Sequence, residues 1–139
     1  MISVSTRDEA TPEDVQPVLD GLERFNAAAA PLHEVRRLVV LAHDADERIV
    51  GGALGRTWGA NAELQVMWIE ESQRGQGVGG RLMHAFLEAA TERGCRRAFT
   101  ESFSFQAIEF YESHGFERRL EFDDFAPGVS KAYLVRELA

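Results

Sequence analysis

Four glycines within six residues, Gly75, Gly77, Gly79 and Gly80, constrain this chain more than any other feature, because they separate a strand-like run from a helical one. Upstream, Leu64 to Ile69 is rich in Val, Trp and Ile. Downstream, Val78, Leu82, Ala85, Phe86, Ala89 and Ala90 recur at helical spacing, and Gly94 supplies a C-terminal stop. Arg97 to Phe103 then reads as another strand. Strand, helix and strand within about forty residues form a crossover unit, whose two strands are parallel and joined right-handedly.

The flanking segments add antiparallel character. Val35 to His43 and Arg48 to Trp58 are strand-like and joined by the polar connection Asp44 to Glu47, which predicts a hairpin. Gly51, Gly52 and Gly55 inside the second segment predict a bulge or a close backbone approach. Near the N-terminus, Ile2 to Ser5 alternates weakly as a first strand, and Thr11, Pro12, Glu13 and Asp14 read as a cap, an N1 proline and a capping box. The following helix places Val15, Val18, Leu19, Leu22 and Phe25 on one stripe and ends by Pro31. Beyond the crossover, Ser104 is expected to cap a helix with the stripe Ala107, Phe110, Tyr111 and His114, closed by Gly115 with Phe116 beyond it. Phe116 to Phe122 and Lys131 to Arg136 are the closing strands, separated by the turn-rich Asp123 to Ser130.

At 139 residues there is room for one ordinary core, and 45% hydrophobic with 27% charged residues is globular rather than disordered or membrane-like. The apolar runs are short, so no spanning segment is expected, and one cysteine and four histidines without a cluster give neither a disulfide nor a metal site. A reducing cytoplasm fits that usage. A net charge of −8 with scattered Lys and Arg disfavours nucleic acid and raises the local concentration of cationic ligands.

A glycine-rich turn entering a helix lets backbone N–H groups converge where the helix dipole is positive, so its expected ligand is a phosphate or pyrophosphate. Gly75 to Gly80 satisfies the spacing of a dinucleotide loop, with Glu101 near the ribose-binding position. Glu70 to Arg74 intervene between strand and first glycine, however, and the chain lacks the further alternating βα units that such a fold needs. A Walker A loop is excluded, because no Lys-Ser or Lys-Thr pair follows the glycines.

Arg74-Gly75-Gln76-Gly77-Val78-Gly79 instead resembles the R/Q-x-x-G-x-G/A pyrophosphate loop of the GNAT superfamily of N-acetyltransferases. Ala107 to Phe116 is similar to the A-x-x-F-Y-x-x-x-G-F helix of the same family, at the usual distance downstream. The resemblance covers Ala62 to Phe116 and implies a single α+β domain over residues 1–139, with a mixed, mostly antiparallel sheet, a central parallel pair and flanking helices. It further implies acetyl-coenzyme A as co-substrate, its pyrophosphate on the amides of Arg74, Gly75, Gln76, Gly77, Val78 and Gly79 and its pantetheine arm along Met67, Trp68 and Ile69. Ser104 stands where many members have a pantetheine-binding Asn. The acceptor is expected to be the primary amine of a small molecule; a protein amine, a silent coenzyme A module and a nicotinamide enzyme are the alternatives. A homodimer is compatible with the resemblance.

Acetyl transfer to an amine needs a neutral nucleophile, stabilisation of the oxyanion and a hydrogen bond to the departing sulfur. Tyr111, matching the helix tyrosine of the family, is the candidate for the sulfur. Glu101, near the end of the parallel strand where the two splay, is the first candidate base, and Glu70 at the end of the cofactor strand is the second. A backbone amide of Met67 to Ile69 is the expected oxyanion donor. Phe103, Phe105, Trp58 and Phe122 to Phe125 are candidate acceptor walls suited to a cation. His114, at a helix end, and Cys95, beside a glycine, read as structural.

Overall fold

The computed structural model describes residues 1–138, in two compact units divided after Glu34. In the first, α1 runs Pro12–Ala29. The Asp14 carboxylate accepts from both the backbone N–H and the hydroxyl of Thr11, each at 3.2 Å, and a proline at the first turn forfeits only a donor that would be unpaired anyway. Ile2 to Ser5 is not a strand but exposed, irregular chain: no ladder partner stands beside it, and a short alternating run without a neighbouring edge has nothing to pair with.

The second unit is a six-stranded sheet in the order β1-β2-β3-β4-β6-β5. Its strands are β1 Arg36–His43, β2 Ile49–Trp58, β3 Asn61–Ile69, β4 Arg97–Phe103, β5 Glu117–Ala126 and β6 Val129–Glu137. Helix α2, Val78–Glu92, connects β3 to β4, and the short α3, Ile108–Ser113, connects β4 to β5. All neighbours are antiparallel except β3 and β4, the expected crossover pair. The predicted loop Asp123 to Ser130 is shorter than expected, since β5 continues to Ala126 and only Pro127 and Gly128 turn the chain. An irregularity between Phe122 and Ala126, with Asp124 at φ 64°, absorbs the turn residues within the strand.

One face of the sheet packs on α2 and α3. Its core holds Leu64, Met83, Phe86 and Leu134, all fully enclosed, with Leu82, Ile108 and Phe116 around them. Both helices end as the glycines predicted. The Cys95 N–H reaches the Ala90 carbonyl at 3.0 Å across Gly94 (φ 88°), and the Phe116 N–H reaches Tyr111 at 3.1 Å across Gly115 (φ 87°). These Schellman closures turn each chain sharply back into the sheet, so Cys95 and Phe116 enter the core.

Candidate active site

The site begins where the sheet comes apart. Strands β3 and β4 pair at three positions only, Asn61↔Arg97, Ala62↔Ala98 and Glu63↔Phe99, and no ladder continues beyond them. The other edge of β3 remains paired with β2 through Ile69↔Gly51, with one interruption: Leu54 pairs with Val66 but Gly55 with Leu64, so Gln65 is an extra residue. A bulge increases local twist, and this one lies where β3 leaves β4. Gly55 is what allows it, because a methyl there would sit 2.0 Å from the Glu63 carbonyl oxygen. The β4-facing edge over Met67 to Ile69 therefore has backbone groups that no strand engages.

That edge lines a cavity of about 450 Å³ together with Arg74, Phe105, Gln106, Phe110 and Tyr111. At its outer end a tight turn, Glu71–Gln73, leads into the glycine loop. Gly75 (φ 77°) and Gly77 (φ 80°) adopt left-handed conformations open only to glycine at low cost, and Gly77 is the N-cap of α2. The N–H groups of the first helical turn have no intrahelical acceptors, so this turn presents a fan of unpaired donors. Gly79 is constrained differently: a methyl would lie 3.0 Å from Ile69 Cδ1 and 3.1 Å from Phe110 Cε1, which explains the close docking of the helix start. The Arg74 Nε donates to the Ile69 carbonyl at 3.0 Å, tying the cation of the loop to the end of the open edge.

Tyr111 stands at the inner end of the cavity. It is 8% exposed, with Phe110 and Phe116 edge-on at 5.5 and 5.8 Å. Burial pushes its phenol up from the ordinary tyrosine value, partly offset by the neighbouring Thr100 hydroxyl, so it carries its proton throughout the neutral range. Ser104, by contrast, does not cap α3, whose N-cap is Ala107. Its N–H donates to the Ser130 carbonyl at 2.8 Å and its hydroxyl accepts from the Ser130 N–H at 3.0 Å, fastening the end of β4 to the start of β6. The preceding Ser102 takes the position near the helix start, with its hydroxyl 3.4 Å from the Ala107 N–H.

The two carboxylates are separated by the fold. Glu101 and Tyr133 line a second cavity of about 260 Å³ between β3 and β4, together with Glu63, Gln65 and Phe99. Glu101 is not free there, because Lys131 of β6 meets it at 2.9 Å and also lies 5.0 Å from the Phe103 ring and 5.5 Å from the Tyr133 ring. The hydrogen bond to Glu101 pushes the Lys131 ammonium above its usual range. Glu70 accepts from the Ser72 hydroxyl at 3.1 Å and from Arg48 at 3.3 Å, and lines neither of these cavities. Among the aromatic candidates, Phe103 stacks on Phe105 and meets Phe125 edge-on, both at 5.3 Å, while Phe122 packs on Tyr133. Trp58 is removed from this group, at the far end of β2 opposite Asn61.

His114 packs against the Phe110 ring at 4.6 Å and Cys95 is buried, in keeping with structural roles. Two contributors escaped the sequence, Lys131 and Thr100, because their partners Glu101 and Leu64 lie 30 and 36 residues away and meet them only through sheet pairing.

Residues 34–118, which contain both motifs and every residue lining the first cavity, match the acetyltransferase (GNAT) domain model. The chain belongs to the GNAT family. This acetyltransferase is 32% identical over 130 residues to the blasticidin-S acetyltransferase of Streptomyces morookaense, covering 91% of this chain and 92% of that one. Its fold matches a crystal structure of an acetyltransferase from Bacillus cereus with TM-score 0.80 at 25% identity, over 96% and 98% of the two chains. A Bacillus anthracis protein solved in complex with acetyl coenzyme A shares the fold at TM-score 0.65 and 20% identity, over 75% and 64%. Membership makes the chain an N-acetyltransferase that uses acetyl-coenzyme A.

Proposed function

We propose that this acetyltransferase transfers the acetyl group of acetyl-coenzyme A directly to a primary amine of a small molecule, within one domain spanning residues 1–139. The observation that carries the reading is the parting of β3 and β4 after Glu63↔Phe99, which leaves an open amide edge between the glycine loop and Tyr111. The site suits the co-substrate on its own chemistry: unpaired helix-start amides and Arg74 complement a pyrophosphate, and the free strand edge complements an amide-containing arm. In this reading Arg74, Gly75, Gln76, Gly77, Val78 and Gly79 hold the pyrophosphate, and Met67, Trp68 and Ile69 the pantetheine. Ser104 shapes the neighbouring β4–β6 joint instead of binding the arm. Bound acetyl-coenzyme A supplies the activated acyl group.

The residues divide the remaining work. A backbone N–H of the Met67 to Ile69 edge stabilises developing negative charge on the carbonyl oxygen. Tyr111 donates a hydrogen bond to the departing sulfur. Complete proton delivery is uphill, since a phenol near 10 exceeds a thiol near 8.5 by about 1.5 units before burial raises Tyr111 further. Glu101, with Lys131 as counter-ion, receives the incoming amine, because it lines the cavity on the far side of the strand parting whereas Glu70 does not. The name of the 32% identical relative supports a small-molecule acceptor over a protein one.

Thermal unfolding with acetyl-coenzyme A, coenzyme A and NAD tests the donor. A ligand present at about a hundredfold over its dissociation constant adds roughly 2.7 kcal/mol. A shift with the coenzyme A ligands alone is expected; a shift with NAD alone overturns the reading. Thiol release with blasticidin S, spermidine and an N-terminal peptide then tests the acceptor, and turnover confined to the peptide would transfer the assignment to protein acetylation. Binding without any amine-dependent thiol release would leave a silent coenzyme A module.

A further inference from the structure

Two bonds hold Gln106 to Phe103, the last residue of β4. The Gln106 N–H donates to the Phe103 carbonyl at 2.9 Å, and the side-chain oxygen Oε1 accepts from the Phe103 N–H at 2.8 Å. A backbone N–H can only donate, so the atom it meets must be the oxygen, and the orientation of the side-chain amide follows. That leaves Nε2 with its two protons, and no acceptor among the described residues engages it. Gln106 also lines the cavity of about 450 Å³ together with the open edge Met67 to Ile69. Of the two polar side chains between Phe103 and Ala107, Ser104 is committed to Ser130 of β6, and Gln106 is the one that lines this cavity.

We infer that Gln106 makes the side-chain contact that Ser104 does not: its Nε2 donates to an amide carbonyl of the pantetheine arm. This rests on the reading of the cavity as the pantetheine site. A carboxamide is the side chain that meets both demands there, because a carboxylate lacks the donor and a lysine or arginine lacks the acceptor for Phe103. The two bonds to Phe103 fix the donor before the co-substrate arrives, so little side-chain freedom is left to lose on binding. The contact makes no use of the Tyr111 proton, which stays available to the departing sulfur.

The test measures binding by calorimetry, with coenzyme A and with 3′,5′-ADP, which carries the nucleotide end without the arm. Gln106→Glu keeps an oxygen for the Phe103 N–H but has no proton to donate; Gln106→Met keeps the length and loses both. We expect Gln106→Glu to raise the Kd for coenzyme A about tenfold and to leave that for 3′,5′-ADP within about twofold, with amide exchange at Phe103 unchanged. Gln106→Met should weaken coenzyme A to a similar extent and speed exchange at Phe103. A Kd for coenzyme A within about twofold of the parent in either folded variant overturns the inference. So does an equal loss of 3′,5′-ADP affinity in Gln106→Glu, the mark of charge repulsion and not of a lost arm contact. A parent that binds neither ligand would overturn the reading of the site together with the inference, whereas a parent that binds coenzyme A no better than the variants sinks the inference alone.

Discussion

Replacing Gly55 with alanine should be the most damaging one-carbon change in the sheet, and the structure gives its size. The added methyl would lie 2.0 Å from the Glu63 carbonyl oxygen, 3.0 Å from its carbon and 3.0 Å from Phe86 Cζ. Relief requires roughly 1 Å of movement between two hydrogen-bonded strands, against a fully buried Phe86 ring. Overpacking of this kind costs about 1–3 kcal/mol and more where backbone is the obstacle, so we expect about 3 kcal/mol. At roughly 3–5 °C per kcal/mol for a chain of this length, the midpoint should fall by about 10 °C. The control is Gly80→Ala in the first turn of α2, where the nearest atom is His114 Cε1 at 3.5 Å and alanine gains about 0.5–1 kcal/mol of helix propensity. Calorimetric melting of both variants measures the contrast. Because Gly55 also permits the Gln65 bulge, acetyl-coenzyme A affinity should fall with it. A Gly55→Ala midpoint within 2 °C of the parent, or one above that of Gly80→Ala, would refute the argument that this approach shapes the cleft.

Tyr111→Phe should lower kcat by about 10- to 100-fold, the worth of one hydrogen bond to a charged group, with little change in acetyl-coenzyme A binding by calorimetry. Arg74→Ala loses both its bond to Ile69 and its charge beside the loop, so the KM for acetyl-coenzyme A should rise about tenfold and its dependence on salt should weaken. Lys131→Met removes the counter-ion of Glu101, and the KM for a cationic amine should fall severalfold while that for acetyl-coenzyme A holds; an unchanged amine KM would place Glu101 outside the acceptor path. Burial raises the folded-state pKa of Tyr111 above its unfolded value near 10, so its contribution is complete below pH 10 and is lost as pH rises through the folded value. Urea unfolding between pH 9 and 11 should show a shallower alkaline loss in Tyr111→Phe than in the parent.

What the sequence by itself determined is what depends on neighbours along the chain. The glycine-rich turn before α2, the closures at Gly94 and Gly115 and the Leu82, Phe86 and Ala90 stripe of α2 are properties of residues a few positions apart and stand as read. Helix α3, by contrast, buries Ile108 with Tyr111 and has Ala107 and His114 at its caps. The close approach in β2 also stands: a methyl at Gly55 would lie 2.0 Å from the Glu63 carbonyl oxygen, and one at Gly51 or Gly52 would crowd a backbone oxygen at 3.0 or 3.1 Å. The errors share a different cause. Ile2 to Ser5 has strand composition without an adjoining edge, and Ser104 has cap chemistry but bonds to Ser130, which sheet pairing brings opposite. The chemistry of the site was decided in the same way. Strand order β3-β4-β6 puts Lys131 on Glu101 and Thr100 on Leu64, turning an apparently free carboxylate into half of an ion pair and an ordinary threonine into a hydrogen-bonded link between β3 and β4. Local spacing can place a phosphate loop, because its donors are consecutive amides. Only the folded sheet decides which distant side chains stand where β3 and β4 part.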